Sequence, residues 1–231
     1  MKNAIVLCSG GLDSVVTAHY VKKVLKCNKI IILFFDYKQR NYKAEKRSAL
    51  KCAKELNGDF REIRLNELNK LSASLINIGG VVRKIGREDL KDTKKESKKW
   101  YVPCRNLMFL SYALALVESD FIKDKQKIDV FVGFKNEGKE SFPDTTKGFV
   151  ALMNRLSLKT TKNKGRIIAP LIIKDKEDIV LLGMRLGVDL GETFSCYINK
   201  KVHCGTCLSC RLRREGFYWA NVTDPTRYLE K

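Results

Sequence analysis

An apolar run, Ala4-Ile5-Val6-Leu7-Cys8, breaks directly into Ser9-Gly10-Gly11-Leu12-Asp13-Ser14, and this junction constrains the fold more than any other part of the chain. A short run rich in β-branched residues reads as a parallel strand buried on both faces. Beyond it, Val15, Val16, Ala18, Val21, Val24 and Leu25 recur at helical spacing, so the glycines mark a turn from strand to helix. A helix start leaves backbone N–H groups without partners and carries partial positive charge. Gly10 and Gly11 let a phosphate approach that backbone closely, and Ser9 and Ser14 add hydroxyl donors. The G-x-x-x-x-G-K-S/T pattern of the Walker loop is missing. The plainer reading of the same residues is a glycine turn capped by serine and aspartate, with no ligand.

The rest of the chain alternates. Strands are expected at 4–8, 29–35, 60–65, 130–134 and 167–170, and helices at 13–26, 42–56, 106–118, 147–156 and 176–186. Repeated β-α order implies a doubly wound parallel sheet with right-handed crossovers, an α/β fold. Ligands in such sheets sit at the carboxyl ends of strands. The SGGLDS turn is at one such end, and Asp36-Tyr37-Lys38-Gln39-Arg40 follows the second strand at another. Residues 66–103 lack apolar periodicity and are expected to cover the site or fray.

At 231 residues with 44% hydrophobic content, the chain can bury a full core. It divides into a main domain, 1–190, and a C-terminal segment, 191–231, packed on it. No run reaches 18 apolar residues, so no membrane span is expected. The N-terminus enters a strand at once, which argues against a signal peptide and for the cytoplasm. There the eight cysteines are thiols and metal ligands rather than disulfides. The net charge of +19 attracts polyanions, but nucleotides and pyrophosphate are anions too. The densest basic block, Arg83 to Lys99, interleaves acidic residues and reads as a solvated surface.

Cys196, Cys204, Cys207 and Cys210 give C-x7-C-x2-C-x2-C, with small Gly205 and Ser209 easing the turn. Four thiolates suit tetrahedral zinc, which would fix a poorly cored tail. The spacing also suits an iron–sulfur cluster, and a disulfide pair is the remaining alternative. His203 abuts Cys204 and is a substitute ligand candidate.

The SGGLDS loop resembles that of the PP-loop ATP pyrophosphatases, and the chain as a whole resembles the 7-cyano-7-deazaguanine synthase family, in an archaeal-like branch. The matching pieces are Ser9 to Ser14; Phe35-Asp36-Tyr37 with Gln39-Arg40; Tyr101-Val102-Pro103 with Arg105-Asn106; Gly133-Phe134 with Asn136; Phe142-Pro143-Asp144; and Ala169-Pro170-Leu171 with Lys176. Phe194-Ser195-Cys196-Tyr197, His203-Cys204-Gly205 with Cys207 and Cys210, Arg211 and Glu215-Gly216-Phe217 complete them. The resemblance departs at Lys38 and Cys104, where family members often carry glycine. It departs again over Glu137 to Thr146, which lacks the D-Y/F-S-G-Y-P-D-C-R form of bacterial members.

The resemblance implies a C–N ligase that turns 7-carboxy-7-deazaguanine, ammonia and ATP into the nitrile, for archaeosine or queuosine in tRNA, with Mg²⁺ at the phosphates and structural Zn²⁺. It implies ATP at Cys8, Ser9, Gly10, Gly11, Leu12, Asp13 and Ser14, and catalysis by Asp13, Ser14, Arg105 and Lys176. It implies substrate at Tyr37, Gln39, Arg40, Arg105, Asn106, Phe142 and Asp144, and metal at Cys196, Cys204, Cys207 and Cys210. Partners are then small molecules; direct nucleic-acid contact is not expected, and a homodimer is left open. Asp36 and Asp144 are open between Mg²⁺, the guanine-like edge and turn capping. Arg40 and Arg105 are open between anion contacts and surface ion pairs. Two rivals remain. A PP-loop enzyme thiolating tRNA would need a reactive cysteine near the loop, for which Cys104 is the candidate. A non-catalytic zinc nucleic-acid-binding protein would leave SGGLDS unexplained.

Overall fold

β2 (Ile30–Asp36) reads IIILFFD and is buried along its whole length. Such a strand is stable only between two apolar layers. Ile30, Ile32 and Phe34 enter one core, while Ile31, Leu33 and Phe35 enter the other. β1 (Asn3–Leu7) divides in the same way, Ala4 and Val6 against Ile5. The computed structural model describes residues 3–78, 80, 82–135 and 142–230.

β3 (Asp59–Arg64), β4 (Ile128–Val132) and β5 (Ile167–Ile168) complete a parallel sheet in the order β3-β2-β1-β4-β5. The chain runs outward from β1 to the β3 edge and then returns to the far side of β1. The connections from the paired strands β1 and β4 therefore leave in opposite directions, and at such a switch point these sheets bind ligands beyond the carboxyl ends of the strands. α1 (Leu12–Lys23), α2 (Tyr42–Glu55), α8 (Lys176–Arg185) and α9 (Leu208–Trp219) cover the first core. α6 (Arg105–Asp124) and α7 (Lys147–Thr160) cover the second. The doubly wound α/β architecture is as expected.

The differences have local causes. α6 runs past 118 until Lys125 adopts a left-handed cap at φ +56°. β5 stops at Ile168 because Pro170, two residues on, has no N–H for a ladder. Among the described residues of 66–103 the chain forms α3 (Asn66–Lys70), α4 (Leu75–Ile78), a 3₁₀ turn (Glu88–Lys91) and α5 (Lys94–Lys98). This stretch is held to the second core by Leu68, Ile76, Ile85 and Trp100.

The C-terminal segment is tied back to the first strands' ends. Phe194 N–H donates to Gly10 O at 2.8 Å, Ser48 Oγ donates to Glu192 O at 2.8 Å, and the Asn41 amide donates to Cys196 O. Arg213 of α9 is buried, and its guanidinium donates to Thr193 Oγ1, Ser195 Oγ, Leu190 O and Thr226 Oγ1. A buried cation so fully hydrogen-bonded pins α9 to the 190–195 strap. No helix among the described residues is long and apolar enough to cross a membrane.

Candidate active site and metal centre

The glycine loop leaves β1 and enters α1 with Gly11 as N-cap and no capping side chain. The first-turn N–H groups are thus left for a ligand. Gly10 has φ +79°, and a Cβ there would run into Glu45 O and Ser48 Cβ of α2. Only glycine combines that backbone with that packing. Ser14 Oγ donates to Gly11 O at 3.0 Å and lies 3.4 Å from Ser9 Oγ. Cys8 Sγ donates to Ser14 Oγ at 3.6 Å. Gly133, just beyond β4, would place a Cβ 3.0 Å from Ser14 Cα, so its bareness lets the switch point close onto the loop.

Asp13 lies in the first turn of α1, where the helix dipole favours an anion. Lys176 opens α8, whose start is fixed by a reciprocal capping box between Asp175 and Asp178. Gly216 on α9 leaves room for the Lys176 stem. Its Nζ donates to both Asp13 carboxylate oxygens, at 2.7 and 2.8 Å.

A cavity of about 280 Å³ lies over this loop. Its lining includes Cys8, Ser9, Gly11, Leu12, Asp13, Ser14 and Lys176 on the loop side. Tyr37, Gln39, Glu45, Arg105, Asn106 and Phe109 also line it. Phe35 and Phe109 stack with ring centroids 4.1 Å apart. Gln39 bridges the wall: its Oε1 accepts from Tyr37 N–H at 2.9 Å, and its Nε2 donates to Phe35 O and Glu45 Oε2, each at 3.0 Å. The half-buried Arg105 guanidinium lies 5.9 Å from the Tyr37 ring centroid. Burial pushes the Tyr37 hydroxyl up to about 12 and lifts the Glu45 carboxyl to about 7; the Gln39 bond and the Arg105 charge pull Glu45 partly back.

Other sequence candidates lie elsewhere. Arg40 is not in the cavity lining; its N–H donates to Ile76 O at 2.8 Å. Phe142 stacks on Tyr101 at 5.6 Å and lines an adjoining recess of about 130 Å³ that shares Asp13, Lys176 and Tyr197 with the main cavity. Asp144 is buried and accepts from Asn106 N–H at 3.1 Å, capping the start of α6 from outside. Asp36 accepts from Lys38 N–H at 2.9 Å, a turn bond. Cys104 is exposed and outside the lining. Asn136 and the Glu137–Ser141 part of the stretch that departs from the bacterial form fall outside the described residues.

Sequence reasoning passed over Glu45, Phe109 and Tyr197, all of which line the cavity. Glu45 reads as a solvated position in the charged helix YKAEKRSALKCAKE. Its place one turn after the Asp36–Arg40 segment is the signal that could have found it.

The metal-ligand candidates converge. The Sγ atoms of Cys196, Cys204, Cys207 and Cys210 lie within 4.8 Å of one another. Ile198, Asn199 and Cys204 donate N–H to Cys196 Sγ at 3.2–3.4 Å, and Thr206 and Cys207 donate to Cys204 Sγ at 3.4 and 3.2 Å. Such bonds favour thiolates. Hydrogen bonds from the other three thiols pull Cys204 down, while its neighbours push Cys207 and Cys210 up. A divalent cation resolves that conflict, so the donor set fits one. His203 Nε2 accepts from Ser195 N–H at 3.1 Å and is outside the cluster.

The family model described as queuosine biosynthesis protein QueC matches residues 3–221. The chain belongs to the QueC family. It is 33% identical to a 7-cyano-7-deazaguanine synthase of Methanothermobacter thermautotrophicus, over 98% of this chain and 99% of that protein. It is 35% identical to those of Pyrococcus horikoshii (99% and 98% covered) and Methanococcus maripaludis (98% and 98%). Among solved structures, NMN synthetase from Francisella tularensis is similar with a TM-score of 0.44 at 12% identity, covering 95% of this chain and 84% of that one.

Proposed function

We propose that this QueC-family chain converts 7-carboxy-7-deazaguanine, ammonia and ATP into 7-cyano-7-deazaguanine, feeding 7-deazaguanine nucleosides of tRNA. A carboxylate is a poor electrophile because ammonia cannot expel oxide. Attack by its oxygen on the ATP α-phosphorus breaks the bond to the β-phosphate and releases pyrophosphate. Ammonia then displaces AMP and loses a proton, giving the amide. A second adenylation on the amide oxygen lets AMP and two protons leave, giving the nitrile. Such chemistry asks for positioning and charge neutralisation rather than a covalent nucleophile.

The observation that carries the reading is that the glycine loop and Arg105 face one cavity. The loop N–H groups, Ser9 and Ser14 would hold pyrophosphate oxygens. Lys176, held by Asp13 in this structure, is the cation at the loop. Arg105 offers a two-pronged donor set for the substrate carboxylate or the α-phosphate. Tyr37, Gln39 and Asn106 line the same space, Phe142 lines the recess beside it, and Arg40 and Asp144 lie outside both linings. Mg²⁺ accompanying ATP has Asp13 as the nearest carboxylate of the loop and would neutralise phosphate charge. Zn²⁺ at Cys196, Cys204, Cys207 and Cys210 would be structural, and would make residues 191–231 an appended unit on 1–190.

Mass spectrometry of the product from ATP, ammonia and the acid tests the reading. The expected result is the nitrile, with AMP and pyrophosphate. ADP and phosphate instead would end the adenylation mechanism. In Asp13→Ala or Ser14→Ala, AMP formation is expected to vanish with folding intact by circular dichroism.

A further inference from the structure

Glu45 is a carboxylate without an assigned task. It lines the main cavity beside Tyr37, Gln39 and Arg105. The other carboxylate in that lining, Asp13, has both oxygens engaged by Lys176. Glu45 instead has one anchored oxygen: Oε2 accepts from Gln39 Nε2 at 3.0 Å. Its Oε1 has no hydrogen-bond partner among the described residues. Arg105 acts on it electrostatically, yet the two form no ion pair among the described residues.

The anchor is well fixed. Gln39 is itself held by Tyr37 N–H and Phe35 O, and the backbone of Glu45 is pressed against Gly10 where no Cβ fits. The carboxylate is therefore aimed by its surroundings rather than free to swing into solvent. Burial also lifts its proton affinity to about 7, which marks a carboxylate short of partners in the empty cavity.

A carboxylate has about four lone-pair positions, and Gln39 uses one of them. What remains suits two neighbouring N–H donors on a planar ligand. A 2-amino-4-oxo pyrimidine ring presents that pair on its Watson–Crick edge, through a ring N–H and an exocyclic amino group. The stacked Phe35 and Phe109 rings and Tyr37 supply flat apolar surface in the same cavity. Arg105 supplies a cation for the substrate's anionic group.

We propose that Glu45, positioned by Gln39, recognises the guanine-like edge of the substrate by accepting its two adjacent N–H groups. The inference rests on the substrate reading above. It makes Glu45 a specificity residue for the deazaguanine acid and not for ATP, whose adenine edge alternates donor and acceptor.

Steady-state kinetics of Glu45→Gln with the acid and with ATP varied separately test it. Glutamine keeps the shape and can still accept from Gln39, but it offers one acceptor where two are needed. The KM for the acid is expected to rise roughly 10- to 100-fold while the KM for ATP stays within about twofold. A second substrate, the same acid lacking the 2-amino group, sharpens the result. Wild type should discriminate against it strongly, and Glu45→Gln and Glu45→Ala should discriminate little. An active Glu45→Gln with unchanged KM for the acid, or with a rise confined to ATP, would overturn the assignment. Failure of the wild type to consume the acid would instead overturn the substrate reading itself.

Discussion

Two glycine turns, one near each end of the chain, each lead into a helix and have opposite fates. Before α1, Gly10 has φ +79° and the N-cap Gly11 is extended at φ −74°, ψ 162°. Before α9, Gly205 has φ +85° and the N-cap Cys207 is extended at φ −79°, ψ 163°. Neither N-cap makes a side-chain hydrogen bond to its helix. In the first, the N–H groups of the helix start have no side-chain cap; in the second, Thr206 and Cys207 donate theirs to Cys204 Sγ at 3.4 and 3.2 Å. The first turn carries serines and an aspartate and opens on a cavity. The second carries thiols and is closed, with Cys207 and Cys210 at 0% exposure. The backbone supplies N–H donors in both turns; side chains and burial decide whether those donors are left open toward a cavity or taken up by thiol sulfurs.

If that contrast is right, damage to the closed turn should cost stability, and damage facing the open one should cost rate. The largest effect is expected for Cys207→Ser. Loss of a structural zinc removes on the order of 10 kcal/mol of apparent folding energy in small zinc-held units. Zinc content near one per chain in wild type, falling sharply in the variant with faster amide exchange across 191–231, is the expected result. Unchanged zinc content, or a visible iron–sulfur absorption band, would break the contrast.

Arg105→Lys comes next. The charge stays, but a point charge cannot reproduce a two-pronged clamp, and a loss of about 2–4 kcal/mol in activation free energy is expected. Thermal stability and ATP binding should hardly move. Wild-type turnover in this variant would return Arg105 to an ordinary cation against Tyr37 and Phe109.

Acid should weaken the helix behind the open turn. His19 is buried on α1, and burial, then the Lys23 charge, lowers its pKa from 6.5 to about 4 despite a Glu55 oxygen 3.4 Å away. The unfolded chain takes up that proton first. The contribution is therefore fully present above pH 6.5 and lost as pH falls toward 4, roughly 2–3 kcal/mol in all. Urea unfolding across that window should show the fall, and His19→Asn should flatten this part of the curve whatever its baseline. An unchanged slope would assign the acid loss to other groups.

The smallest effect is at two strained residues. Lys38 has φ +61° and Cys104 φ +52°, the two places where the resemblance drawn from the sequence led to an expectation of glycine. Lys38→Gly should stabilise by about 0.5–1 kcal/mol, read as a raised Tm, as the left-handed strain is relieved. A lowered Tm would show that the lysine side chain makes up for its backbone.

Much of this molecule was legible because its signals are local. The buried strands announce themselves as unbroken apolar runs, and SGGLDS and the cysteine steps are contiguous. The 66–103 stretch was opaque because its short helices are anchored by single residues such as Leu68 and Ile76 rather than by a periodic face. The side-chain wall of the cavity was opaque for a different reason. Glu45 and Phe109 come from helices far apart in sequence, and only the sheet order brings them together. Asp144 was open between a ligand contact and a capping role; its Oδ2 accepts from Asn106 N–H, a bond visible only once α6 is in place.

The bonds from Phe194 to Gly10 and from Lys176 to Asp13 also set an order of events. Asp13 and Lys176 stand 163 positions apart, so a ribosome finishes nearly the whole chain before the first-made loop meets its lysine. A nascent or prematurely ended chain has the loop sequence but not the assembled site. Assembly of the loop therefore waits on synthesis of residues up to at least Phe194, and a chain ended before Lys176 has the loop without its ion-pair partner.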